Sequence, residues 1–184
     1  MPTTTEKTVS APASRLDFAA IKRRAREHVE RGPVTSGYGA DRDAVLRMLD
    51  AALATELVCM LRYRRHWFAA QGLRAKAAAD EFLEHSRQEF EHADRIAQRI
   101  TQLGSAPDLD PGRLVGRSHA DYRECSSVEE MLHENLVAER IAVESYREMI
   151  RAIGDQDPTT RRLLESILEV EEQHADDLVG LLPD

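Results

Sequence analysis

The stretches EFEHADRI (Glu89–Ile96) and EEQHADDL (Glu171–Leu178) decide how this 184-residue chain is read, because both spell Glu-x-x-His-Ala-Asp. On a helix, residues three apart are turned by roughly 60°, so Glu89 and His92 project to one side, as do Glu171 and His174. Apolar residues recur around each pair at alternating three- and four-residue steps. One series runs Phe82, Ser86, Glu89, Ala93, Ile96, Ile100, Leu103; the other runs Leu164, Ile167 or Leu168, Glu171, Ala175, Leu178, Leu182. That period predicts two amphipathic helices, each with a glutamate in the middle of its apolar stripe.

Two more segments follow the same rule. Leu49, Ala52, Glu56, Cys59 or Met60, Tyr63 and Trp67 form one stripe, and Leu132, Leu136, Glu139, Val143, Tyr146, Ile150 and Ile153 form another. The order repeats: a glutamate, a tyrosine seven residues on (Tyr63, Tyr146), then the Glu-x-x-His pair. Glu89 follows Glu56 by 33 residues and Glu171 follows Glu139 by 32, so the chain reads as an internally repeated helical hairpin.

Helix punctuation agrees with that division. Asp41 is placed to cap a first long helix running to about Gly72, and a second runs from about Ala75 to Leu103, closed by Gly104. Ser127, with Glu130 at the capping-box position, opens a third that ends near Ile153. The fourth runs from about Pro158 to Leu182. Between Gly104 and Ser126 lie two prolines and three glycines with no long helical period, which suits a crossover along a bundle. Ahead of this, residues 1–14 read as a flexible tail. Residues 15–40 read as an extension with a short helix over Arg15–Arg31, stopped by Gly32-Pro33, and a linker through Gly37 and Gly39. The fold class is therefore all-α: a short N-terminal helix and, over residues 41–184, a four-helix bundle with one long crossover between its second and third helices.

The charge balance, 25 Lys and Arg against 33 Asp and Glu for a net −8, argues against a protein built to grip nucleic acid and suits one that handles cations. Cys59 and Cys125 have no zinc-type spacing and make no disulfide framework. No stretch has the apolar length of a signal peptide or membrane helix, so a cytoplasmic protein with no membrane partner is expected.

A buried, unpaired carboxylate costs several kcal/mol, roughly, unless it is protonated, paired or bound to a metal. Here four would meet in one seam with no Lys or Arg in any stripe. Two divalent cations would match them charge for charge. Glu56, Glu89, His92, Glu139, Glu171 and His174 then supply six ligands, with one imidazole per metal, a donor set that suits iron or manganese better than copper or closed zinc. Glu130 and His133 share the same spacing but open the third helix, where Glu130 faces away from Glu139. That pair is read as surface and capping.

The order Glu56, Glu89-Phe-Glu-His92, Glu139, Glu171-Glu-Gln-His174 resembles the dinuclear centre of the bacterioferritin family and the related Dps-like ferritins. The resemblance covers about Asp41 to Leu182. It implies the ferritin-like topology and a ferroxidase that oxidises two Fe(II) per subunit, manganese being the other metal to consider, with O2 or H2O2. It also implies iron storage, protection against oxidative stress, a homo-oligomeric shell, and a role for Tyr63 beside the dinuclear site. Bacterioferritin holds haem through a methionine where Phe90 stands here, so no haem is expected. The long N-terminal segment and an end at Asp184 without a fifth helix look more like the Dps-like branch and its twelve-subunit shells.

Other residues carry less. Tyr146 rests on the internal repeat, Cys59 reads as a small buried hydrophobe one turn from Glu56, and Cys125 lies in the crossover. The basic run at Lys22–Arg26 could touch DNA, but Asp17, Glu27 and Glu30 dilute it, and a solvated helix face is the preferred reading. Three alternatives stay open: a rubrerythrin-like di-metal peroxidase, although its Cys-x-x-Cys pairs are absent; a manganese-catalase-like enzyme; and a DNA-coating or structural Dps-like shell.

Overall fold

The computed structural model describes residues 16–182. The tail expected over residues 1–14 lies outside them. Six α-helices follow in order: α1 (Phe18–Arg24), α2 (Arg42–Ala69), α3 (Lys76–Gln102), α4 (Leu114–Arg117), α5 (Val128–Ile153) and α6 (Pro158–Leu181), with no strand among the described residues. None is long and apolar enough to cross a membrane.

Three of the four long helices, α2, α5 and α6, begin at a side-chain cap, and α3 begins at Ala75 without one. The Asp41 carboxylate accepts from the amides of Asp43 and Ala44, and Asp157 accepts from Thr160 N ahead of Pro158, whose missing N–H costs nothing at a first helical position. Gly104, at φ +78°, turns the chain away after α3, and its carbonyl receives Arg42 Nη2 at 2.9 Å. The capping box at α5 differs from expectation. Ser127 Oγ does accept from Glu130 N, but the Glu130 carboxylate reaches one residue further back, to Ser126 N at 2.7 Å and Ser126 Oγ at 2.9 Å.

Short connections pair α2 with α3 and α5 with α6 as two hairpins, which are the most closely packed helix pairs. The crossover is partly ordered by α4, which packs on α2 and buries Leu114 against Ala54 and Val58. The N-terminal helix is shorter than expected: it ends at Arg24, and His28 takes a left-handed conformation before a 3-10 turn at Val29–Arg31. No residue of α1 is buried, so no tertiary burial supports further turns. The later part of the extension is anchored, because Val34, Tyr38 and Ala40 pack on the bundle core.

That core is divided. One cluster gathers Leu49, Leu53, Ile96, Ile100, Ile153, Leu164 and Ile167; the other gathers Tyr63, Phe82, Met131, Leu132 and Leu178. Every long helix passes from one cluster to the other through its stripe glutamate. The carboxylates thus form a polar layer between two apolar plugs.

Candidate functional site

Glu56, Glu89, Glu139 and Glu171 are each 1 % exposed, with His92 and His174 also buried between them. Their donor atoms fall into two groups that could each hold a cation: Glu56, Glu89, His92 and Glu171 in one, and Glu89, Glu139, Glu171 and His174 in the other. Glu89 and Glu171 belong to both. His92 Nδ1 lies 3.0 Å from Glu171 Oε1 and 3.2 Å from Glu56 Oε2. His174 Nδ1 lies 3.5, 3.6 and 3.8 Å from Glu171, Glu89 and Glu139. Gln88, unremarked in the sequence, accepts from His174 Nε2 at 2.7 Å and so aims Nδ1 at the carboxylates.

The tyrosines cross over between the halves. Tyr63, on α2, donates to Glu139 Oε1 on α5, while Tyr146, on α5, donates to Glu56 Oε1 on α2. Each repeat supplies the hydroxyl for the other's glutamate.

Polar satisfaction stops there. Glu89 Oε1, Glu139 Oε2, both Glu171 oxygens and His174 Nδ1 are buried with no hydrogen-bond partner. Such atoms cost about 1–3 kcal/mol apiece in a folded protein, and their concentration at one place is the chemistry of a cation site.

The carboxylates also divide electrostatically. Burial and the charges of Glu171, Glu56 and Glu139 push Glu89 well up; burial and Glu56 do the same to Glu171. Burial works against ionisation of Glu139 too, but the nearby charge of His174 and the hydrogen bond from Tyr63 outweigh it and hold that carboxyl down at about 2. Glu56 is likewise held below the usual range: burial opposes ionisation, and His92 and neighbouring hydrogen bonds prevail. His174 is raised, since its three carboxylate neighbours overcome the penalty of burial. The shared pair is therefore biased toward the neutral form and the outer pair toward the ionised form.

Two buried residues, Arg62 and His85, lie outside the sequence stripes. Arg62, on α2, is 1 % exposed. It donates to Asn135 Oδ1 at 2.8 Å, to the Asp121 carbonyl at 3.0 Å and to Cys59 Sγ at 3.7 Å, with no carboxylate partner. Cys59 is thus buried against Arg62, Ala120 and Ala138, and burial pushes its thiol well up. His85, one turn before Glu89, is 1 % exposed; its ring stacks on His174 at 3.9 Å, and Nδ1 is 3.2 Å from the Tyr63 hydroxyl. Burial and His174 lower it to about 4. The Glu81-x-x-x-His85 spacing was the available signal. Glu130 and His133 lie exposed at the start of α5, and Asp94 and Asp176 face solvent.

The ferritin-like domain family matches residues 46–184. The chain belongs to that family. This ferritin-like protein is 30 % identical over 138 residues to the bacterioferritin of Rhodobacter capsulatus, covering 72 % of the chain and 78 % of the relative. It is 28 % identical over 138 residues to a nutrient stress-induced DNA-binding protein of a Synechococcus species, covering 69 % and 74 %. Among solved structures, the dodecameric thioferritin of Bacteroides fragilis, a bacterioferritin-related protein, superposes with a TM-score of 0.74 at 29 % identity, over 78 % of this chain and 86 % of that one. The Dps of Thermosynechococcus elongatus shares the fold, with a TM-score of 0.73 at 19 % identity over 77 % and 92 %. The ferritin-like protein thus has relatives on both the bacterioferritin and Dps sides.

Proposed function

We propose that this ferritin-like protein is an iron-storage and detoxification ferroxidase that takes Fe(II) as substrate at the six-residue layer. The observation that carries the reading is the set of unpartnered buried polar atoms on Glu89, Glu139, Glu171 and His174. In this reading Glu56 and His92 hold one cation, Glu139 and His174 hold the other, and Glu89 and Glu171 lie between to bridge them. A cation pair displaces the protons held by the shared carboxyls, so loading releases protons and strengthens as pH rises. Tyr63 and Tyr146 position the outer carboxylates by donating one hydrogen bond to each. Two bound Fe(II) supply the two electrons that convert H2O2 and two protons to two waters, or O2 and two protons to H2O2. The apolar plugs on either side keep the layer from bulk water.

The dodecameric neighbour and the Dps fold support a homo-oligomeric shell of twelve subunits for this chain as well. DNA binding, named for one relative, would here fall to the Lys22–Arg26 segment, where α1 carries three basic residues in its last turn. No haem belongs to the reading, since Phe90 offers only carbon at the position where bacterioferritin places its ligand. Anaerobic Fe(II) titration followed by oxygen or peroxide tests the proposal. Rapid oxidation of about two irons per subunit, then slower mineral growth, is expected. Disproportionation of peroxide by the manganese-loaded protein, with no iron oxidation, would make it catalase-like instead.

A further inference from the structure

We propose that Glu81, His85 and Asp177 form a third, outer site for a divalent transition-metal cation, next to the six-residue layer but sharing none of its ligands. Tyr63 has a single hydroxyl proton and donates it to Glu139, so toward His85 its oxygen can only accept. His85 therefore carries its hydrogen on Nδ1, and Nε2 presents a lone pair. That lone pair is 3.1 Å from Glu81 Oε1 and 3.6 Å from Asp177 Oδ2. Nε2 is buried and makes no hydrogen bond of acceptable geometry with either oxygen. Three acceptors on two helices converge on one point with no donor among them.

A cation resolves that arrangement. The three ligand atoms already lie within 4.8 Å of one another, and two carboxylates balance one divalent charge. One imidazole with two carboxylates suits Fe(II), Co(II) or Zn(II) rather than an all-oxygen calcium or magnesium site. The remaining coordination positions face outward, because the side chains of Glu81 and Asp177 are 33 % and 34 % exposed while that of His85 is 1 % exposed. The Tyr63 hydrogen bond fixes the His85 ring, as an oriented ligand requires. One imidazole thickness separates the two places, through the stack of His85 on His174. If the layer oxidises Fe(II) as proposed above, the outer site gives that substrate a partly exposed foothold beside the buried one.

Crystals of the whole protein soaked in Zn(II), with anomalous maps at the zinc edge, test this directly, together with zinc per subunit after dialysis of the parent and of E81Q/D177N. The double substitution is isosteric and confined to side chains about one-third exposed, so folding is retained. A peak bounded by Glu81, His85 and Asp177, and a loss of one zinc per subunit in E81Q/D177N, are expected. Peaks in the six-residue layer with none beside His85 overturn the proposal and mean that Nε2 is protonated instead. Equal zinc content in parent and E81Q/D177N overturns it too. A peak beside His85 with none in the layer supports this site and removes the ferroxidase reading.

Discussion

Two clusters of buried polar side chains occupy the same bundle and are built on opposite plans. Where α6 begins, Arg99 donates to both oxygens of Asp157 at 2.9 and 3.0 Å and to Thr160 Oγ1 at 2.8 Å. Asp157 also receives Thr160 N, Thr160 Oγ1 and the Tyr38 hydroxyl. No atom of that cluster lacks a partner, charge meets charge, and the network fastens α3, α6 and the N-terminal extension together. In the glutamate layer the acids outnumber their donors and five atoms are orphaned. A closed network is a fastener; an open one at equal depth has the composition of a binding site. The two should therefore respond oppositely to substitution.

The largest effect is expected in the open cluster. Glu171→Gln keeps shape but removes a carboxylate common to both groups, so Fe(II) oxidation followed by stopped-flow absorbance should fall by orders of magnitude, because the two-cation geometry itself is lost. Its metal-free form should melt no lower than the parent. An unchanged oxidation rate would show that Glu171 is not shared.

Next comes the fastener. Asp157→Ala strands a buried guanidinium and uncaps α6, and denaturant unfolding should register a loss of about 3 kcal/mol. Iron oxidation well below the melting temperature should persist, since Asp157 shares no hydrogen bond with the layer. Full activity loss in a folded Asp157→Ala protein would show that the two clusters are coupled.

A smaller, pH-dependent effect separates the acids within the open cluster. Glu171 is raised in the folded protein by burial and the Glu56 charge, so its contribution is fully present below its unfolded pKa and is lost as pH rises through the folded value. Glu139 is lowered to about 2, so its contribution is present above its unfolded pKa and disappears only as pH falls toward 2. Metal-free melts of parent and Glu171→Gln should accordingly coincide near pH 4 and separate upward, the Gln form melting higher at pH 8. Glu139→Gln should show no such gain, because Tyr63 and His174 lose an ionised acceptor. Identical curves for the two variants would remove the distinction between shared and outer carboxyls.

The fold was legible because its signals are local. Asp41, Ser127 and Asp157 with Pro158 mark helix starts by their own side chains, and one glutamate per stripe marks the layer. What escaped depends on which residue of another helix comes near. Tyr63 follows Glu56 by two turns, about 10 Å along the axis, so its hydroxyl cannot serve its own helix's glutamate and meets Glu139 instead. Glu81 and His85 are one turn apart, but Asp177 joins them from α6 only through the packing of α3 on α6. Arg62 was hidden for a different reason: it falls outside the apolar stripe and is buried because the crossover, through the Asp121 carbonyl, covers it. The N-terminal helix is shorter than its periodicity predicts because nothing in the bundle buries a residue of α1.

The smallest effect is expected where the Glu-x-x-His spacing recurs without the layer. Glu130 and His133 are three apart, as Glu89 and His92 are, yet both are exposed. Among the described residues His133 forms an ion-pair contact with Glu134 alone, at 3.6 Å, with two-thirds of its side chain in water. The Glu130 carboxylate tethers Ser126, while the α5 cap itself uses Ser127 Oγ and the backbone amide of residue 130, which alanine retains. Glu130→Ala/His133→Ala should therefore lose the Ser126 tether and nothing else: a slightly lower melting temperature, unchanged zinc content and an unchanged oxidation rate. The result matters because spacing is identical and only burial differs. If this double variant failed to oxidise iron while Glu171→Gln did not, the face of α5 assigned to the layer would be the wrong one, and burial would have no claim to separate a site from its imitation.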